Sequence, residues 1–336
     1  MQGLYLLWWV QSRHISAALV GAILAAGDFT LLLVEVPTGW FADRFGHRRS
    51  LIVGSTAQVL GMLACWLGRN VTDLIAACVL VAVGDAFRSG ADQALLYRTC
   101  VALGREGDFQ RVESRTQAAR LAGLVALVLA GGAIVTRWGF NAGWAAETAL
   151  CAAGVAIACA MREPPRADAA ATNDGDAKPR AARRMGVRTI ISLLAPAALL
   201  GAAASGASFL AQTAGDSEPA RNTLLVAFIT LAEAAGAALA MRASAAGARA
   251  QARLVVLALL TIGVASAFPA TLVAVVIALS FLAGIAYPLR AAAIQRAVPD
   301  EVRARAVSAA SACDMAIKMI ALPLAGAYRV RRSSRR

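Results

Sequence analysis

Charged side chains inside apolar stretches are the residues of this sequence that call for chemistry. Asp28 stands midway along one such run, with no basic residue one turn to either side of it, and Glu35 follows beside Pro37. Asp85, Arg88 and Asp92 are spaced by three and four residues. On a continuous helix that spacing puts all three on one face, where the guanidinium neutralises one carboxylate or bridges both. Glu147, Glu233, Asp314 and Lys318 complete the set, the last two again four apart. An ionisable group at bilayer depth costs about 2.5–3.5 kcal/mol on insertion scales, so each needs a reason. Two reasons compete: the charges line a polar cavity that binds a solute or carries a coupling proton, or they tie helices together. Asp28 is the candidate proton carrier. Asp85, Arg88 and Asp92 are the candidate substrate or proton-coupling group, whereas Glu35 and the Asp314–Lys318 pair read as structural.

A second constellation runs Gly39-Trp40-Phe41-Ala42-Asp43-Arg44-Phe45-Gly46-His47-Arg48-Arg49. Gly39 can admit a close neighbouring helix, and Gly46 permits the positive φ that a sharp reversal requires. Asp43 can accept hydrogen bonds from a helix N-terminus or pair with an arginine across a bundle interface. Arg44, Arg48 and Arg49 hold the loop on one side of a membrane and within reach of anionic lipid headgroups. A basic turn that merely sets topology accounts for the arginines but not for the glycine and aspartate spacing.

The elements that must position these residues follow from composition. The chain has 336 residues, 59% apolar and 16% charged, with mean hydropathy +0.63. Soluble domains are about 45–50% apolar and ~25% charged, so a polytopic, all-α membrane protein is the class that remains. About 20 apolar residues cross the hydrocarbon as a helix. Ten stretches meet that measure, at 15–38, 51–68, 72–97, 117–136, 140–161, 189–212, 222–241, 254–268, 270–289 and 306–328. A stub, Gly3–Val10, is too short to span. Alternate loops hold 22 Lys/Arg against four on the opposite side, and the 22, which include Arg98 and Arg290, mark the cytoplasmic face. The net charge of +13 thus reads as topology and not as a nucleic-acid footprint. Five arginines in the tail 329–336 fall on the outer side by the same count and are left unexplained.

The polar stretch 162–188, opening Arg162-Glu163-Pro164-Pro165, reads as a cytoplasmic linker between an N-terminal bundle at 1–161 and a C-terminal bundle at 189–328. Arg98, Asp108 and Arg111 recur as Arg290, Asp300 and Arg303 at an offset of 192, which supports duplicated bundles. The six cysteines show no ligand spacing and read as small apolar fillers; neither a metal nor a cofactor is implied. With His14 and His47 the only histidines, and with no HExxH, GxSxG or Walker A pattern, an enzyme or ATP-driven pump is not supported.

The G-x-x-x-D-R-x-G-x-R-R pattern of Gly39–Arg49, with Glu35-Val36-Pro37-Thr38 before it, resembles the signature loop between helices two and three of a bacterial branch of the major facilitator superfamily. The resemblance covers nearly the whole chain in segment order. It implies two six-helix bundles, with the stub as the end of helix one and no twelfth helix. It also implies a loop that latches the halves in one access state, through Gly39, Asp43, Arg44, Gly46, Arg48 and Arg49. The pattern departs in places. Leu80 precedes Gly84 where an arginine is common, and Gly123, Gly131 and Gly132 lack the proline of proton-driven drug exporters. The second-half loop, Arg242 to Arg253, keeps Gly247 but no aspartate. The expectation is a monomeric secondary transporter of a small molecule in the bacterial cytoplasmic membrane, with H+ as a candidate coupling ion and export as a candidate direction. A truncated, non-transporting or sensor-like membrane protein on the same fold is the alternative.

Overall fold

The computed structural model describes residues 4–105, 108–164, 187–213, 218–242, 257, 272–297 and 313–323. The span expected at 254–268 (Leu257 apart), the ends of the 306–328 span, the linker between 165 and 186, Gly247 and its loop, Asp300 with Arg303, and the tail from Arg329 lie outside those residues.

All regular structure among the described residues is helical, as a chain in hydrocarbon must satisfy its backbone polar groups within each segment. A short turn, α1 (Tyr5–Leu7), runs into a π-helical turn over Trp8–Ser12. Then come α2 (Ala17–Phe45), α3 (His47–Leu67), α4 (Val71–Arg88), α5 (Ala91–Ala102) and α6 (Phe109–Ala160). After these follow α7 (Val187–Thr213), α8 (Pro219–Arg242) and α9 (Leu272–Ala297), and residues 313–323 are helical as well. Among the described residues, six stretches are long and apolar enough to cross a membrane: Ala17–Glu35, His47–Leu67, Val71–Ala102, Ala122–Ala160, Pro219–Ala240 and Leu272–Arg290. Ala197–Gln212 is a shorter apolar helix.

Two breaks matter. The 39-residue stretch Ala122–Ala160 is about twice a span's length. Gly139, at φ +81°, breaks it where the sequence separates the spans 117–136 and 140–161. The expected 72–97 helix is itself interrupted: α4 stops at Arg88, and Ser89 with Gly90 at φ +74° separates it from α5. The start of α4 is fixed by a capping box, in which the Asp73 N–H donates to Asn70 Oδ1 at 2.9 Å and the Asn70 N–H donates to Asp73 Oδ2 at 3.4 Å, with the Arg69 N–H donating to the same oxygen at 2.9 Å.

The described helices fall into two compact units. The first lies within Ala26–Leu127 and Arg137–Arg180, the second within Gln2–Ala25, Val128–Thr136 and Ala181–Arg336. In the first unit α3 and α4 approach backbone to backbone: a Cβ on Gly54 would lie 2.8 Å from the Gly84 carbonyl oxygen, and one on Gly84 2.8 Å from that of Gly54. Small residues at such crossings let apolar helices gain van der Waals contact, which is the main attraction available in lipid. In the second unit α8 and α9 meet in the same way, Gly236 against the Phe281 carbonyl and Gly284 against that of Glu233. Ala197, Leu200, Val275, Leu279 and Ala283 form its core. Two N-terminal segments close on this unit: Gly21, whose Cβ would lie 2.7 Å from the Leu322 carbonyl oxygen, and Gly132, which packs directly on Thr223.

Candidate functional site

The loop between α2 and α3 is organised by a residue that the sequence places in the linker. Gly46 caps α3 at φ +104° and offers no side chain to the first N–H groups of that helix. Helix amino ends carry unsatisfied donors and a partial positive charge, so an anion is stabilised there. Glu163 supplies it. The His47 N–H donates to Glu163 Oε1 at 3.1 Å and the Arg48 N–H donates to Oε2 at 2.6 Å. Arg98, in the last half of α5, completes the clamp with Nη1 3.4 Å from Oε1. Arg48 Nη2 donates to the Cys159 carbonyl oxygen at 2.6 Å, tying α3 to the end of α6 a second time. A Cβ on Gly46 would lie 3.2 Å from the Glu163 carboxylate, so glycine here serves both the turn and the space for the anion.

The other loop residues divide. Arg44 lays its guanidinium over Trp40 at 5.7 Å and Phe45 at 6.0 Å, within cation–π range. Asp43 and Arg49 are exposed, and the anion at the amino end of α3 is Glu163. Gly39 corrects an expectation. It is exposed, and among the described residues a Cβ there would meet nothing within 4 Å; the close helix approach attributed to it occurs at Gly54 and Gly84 instead. Gly39 lies on an outward face of α2, whereas the buried Thr38 beside it faces α4, its hydroxyl donating to the Ala86 carbonyl oxygen at 3.1 Å.

The intramembrane group is brought together differently from the one-helix expectation. The break at Ser89–Gly90 places Asp92 in the first turn of α5, off the helical face that carries Asp85 and Arg88. Asp92 Oδ1 accepts from the Gln93 N–H at 2.8 Å, while Arg88 Nη1 stands 3.9 Å from Asp85 Oδ1 with both side chains about half exposed. Such a pair contributes at most about 1 kcal/mol. All three nevertheless line one cavity of about 720 Å3, together with Gln58, Gln93 and Arg120. Asp28 lies in α2 one residue beyond Gly27, whose Cβ would sit 3.8 Å from Cys78 of α4, and it is not among the described lining residues.

In the second unit the structure overturns the local Asp314–Lys318 pairing. Asp314 takes two hydrogen bonds from Arg290, a residue that the charge count assigns to a cytoplasmic loop and that is in fact 8% exposed. The planar fork of an arginine matches both carboxylate oxygens at once, which the ammonium of a lysine one turn away cannot do. Sequence reasoning missed Glu163 and Arg290 alike. The available signal was a lone acid directly after a span for the first, and for the second the matched position of Arg98 and Arg290 in the two halves.

Comparison with known proteins agrees with this geometry. A family profile described as Major Facilitator Superfamily matches residues 1–322. No curated protein matches the chain. Among solved structures the chain resembles a D-xylose-proton symporter, with a TM-score of 0.68 and 14% identity over 96% of this chain and 83% of that one. A nucleoside transporter, NupG, matches at 0.68 and 13%, covering 96% and 84%. A bacterial homologue of the human lysosomal transporter Spinster, solved inward-facing and occupied, matches at 0.64 and 19%, covering 96% and 76%. At these identities the structural likeness establishes the fold.

Proposed function

Because the chain belongs to the major facilitator superfamily, we propose that it is a secondary active transporter, moving a small solute across the membrane by alternating access. The observation that carries this reading is the 720 Å3 cavity that Asp85, Arg88, Asp92 and Arg120 line together. Charges at that depth are tolerated where they meet water, one another or a solute. The proton coupling that the D-xylose-proton symporter carries in its name is assigned here to Asp28, Asp85 and Asp92, with Arg88 as the counter-charge that favours release.

The Gly39–Arg49 loop acts as the conformational latch. Glu163 holds the α3 amino end through charge-assisted contacts, and such contacts can be exchanged during a cycle because each is worth little alone. By the arginine bias, Gly21, Gly132, Thr223 and Leu322 lie toward the outer ends of their helices. Their close contacts support a state closed on the outer side. We place the protein in the bacterial cytoplasmic membrane as a monomer, its basic loops toward the cytoplasm and anionic lipid.

The test is the full chain reconstituted in liposomes with a pH-sensitive dye inside and an imposed pH gradient of either sign. A solute that dissipates the gradient in a protein-dependent manner is the expected result, and the sign of the response assigns uptake or export. Failure of sugars, nucleosides, peptides and amino acids alike to produce any flux, from a correctly inserted protein, favours the non-transporting, sensor-like alternative.

A further inference from the structure

A second cavity, of about 180 Å3, lies within the second unit between α7, α8, α9 and the 313–323 helix. Its polar wall is Ser205, Ser208, Glu233, Ser280, Tyr287 and Lys318. Glu233 and Lys318 carry opposite charges into the same space, yet among the described residues no ion pair within 4.0 Å joins them. Nor does Lys318 pair with the acid one turn before it, since both oxygens of Asp314 are taken by Arg290. The cavity therefore holds a carboxylate and an ammonium at separate positions, with hydroxyls around them and Ala204, Ile229 and Ala283 as an apolar wall.

We propose that this cavity binds a small zwitterion, a solute bearing both an ammonium and a carboxylate, as an α-amino acid does. Lys318 takes the carboxylate, Glu233 takes the ammonium, and the serine hydroxyls complete the hydrogen bonding. A zwitterion brings no net charge into the membrane and matches both protein charges. A sugar satisfies neither, and a dicarboxylate satisfies Lys318 but is repelled by Glu233. Size agrees: a water needs about 10–15 Å3 by this measure, so 180 Å3 accommodates roughly a dozen water-sized groups and selects a compact amino acid. The packing of Gly201 directly on the Tyr287 hydroxyl fixes the position of that ring at the wall. This assignment rests on the transport reading in that it names the class of solute carried.

The experiment uses the purified full chain and measures ligand-induced thermal stabilisation with L-alanine, and with propionate and ethylamine as its two half-ligands. L-Alanine is expected to stabilise the protein at concentrations where neither half-ligand does. Glu233→Gln should weaken L-alanine binding by about tenfold or more, as expected for loss of a charge-assisted hydrogen bond, and bring it level with propionate. Lys318→Gln should bring it level with ethylamine. Equal response of the wild type and both variants overturns the proposal, as does stabilisation by D-xylose without any by L-alanine. If either variant melts lower without ligand, Glu233→Asp keeps the charge and should retain the preference for L-alanine over propionate; its loss there counts against the proposal. Binding without flux in the liposome assay keeps this site and removes the transport reading. Flux of another solute without L-alanine binding does the reverse.

Discussion

Arg290 and Asp314 meet through two hydrogen bonds, Nη1 donating to Oδ1 at 2.5 Å and Nη2 to Oδ2 at 2.6 Å, with side chains only 10% and 13% exposed. The guanidinium also lies 5.1 Å from the Tyr287 ring centre. Arg98, 192 positions earlier, holds a carboxylate as well, that of Glu163. The two matched arginines thus each anchor an acid from a segment later in the chain, and the Arg290 pair determines which charges remain in the neighbouring cavity.

Removing one partner of a buried pair leaves an uncompensated charge and costs about 3–5 kcal/mol, whereas replacing both by apolar groups costs far less. Arg290→Leu should therefore lower the melting temperature more than the Arg290→Leu/Asp314→Leu double variant does. The single variant has a further effect, because it frees Asp314 to pair with Lys318 one turn away. L-Alanine binding should weaken in Arg290→Leu and recover in the double variant. A thermal-shift titration of the three proteins reads both outcomes, and a double variant no more stable than the single one would contradict the pairing.

What could be read from the sequence was what depends on neighbours in the chain. The reversal at Gly46 and the break near Gly139 both proved to be positive-φ glycines, and each is announced by a local change in composition. The Ser89–Gly90 break was missed because apolar residues continue on both sides and no proline marks it. Contacts remote in sequence were missed as a class. Glu163 bonds to a backbone 116 residues away, and Asp314 prefers a partner 24 residues away over the lysine one turn on. A spacing argument weighs only the nearer choice, although a buried bidentate pair is the stronger one.

Glu163→Ala removes the anion at the amino end of α3 and leaves Arg98 without its carboxylate. Loss of a helix cap costs about 0.5–2 kcal/mol, enough to loosen the proposed latch. Trypsin applied to the purified protein in detergent should cut at Arg48 and Arg49 several-fold faster in this variant. The wild type should approach the same rate at high salt, because screening weakens exposed ionic contacts. Unchanged cleavage at both salt levels would show that Glu163 does not restrain the loop.

The two glycines of the loop motif should respond oppositely to alanine. Gly46 sits at φ +104°, with Glu163 3.2 Å from the position of an added Cβ. Left-handed backbone costs an L-residue roughly 1–2 kcal/mol, and Gly46→Ala should both destabilise the protein and speed trypsin cleavage as Glu163→Ala does. Gly39 is helical, exposed and has nothing near its Cβ. Gly39→Ala should raise stability by about 0.5–1 kcal/mol and leave cleavage unchanged. If Gly39→Ala instead alters the cycle, the face of α2 that carries it must be covered in another state.

The outer-closed state proposed above depends on contacts that no larger residue can make. A Cβ on Gly21 would lie 2.7 Å from the Leu322 carbonyl oxygen, which is backbone and cannot turn aside, whereas Gly132 meets only the Thr223 side chain. Gly21→Val and Gly132→Ala should therefore each hold the outer side open, the second because the Thr223 Cβ would lie 2.6 Å from the added methyl and no rotamer moves it. Thr223→Gly should offset Gly132→Ala by removing all three obstructing atoms, the Cβ at 2.6 Å included, but it should not offset Gly21→Val. Reactivity of a cysteine placed at Asn222, 1% exposed and next to Thr223, toward an impermeant thiol reagent, added from outside in a background lacking the native cysteines, measures this. Reactivity is expected to be high for Gly21→Val and for Gly132→Ala, and near wild type for Gly132→Ala/Thr223→Gly. A Gly21→Val protein as unreactive as wild type would mean that these contacts are static packing and take no part in gating.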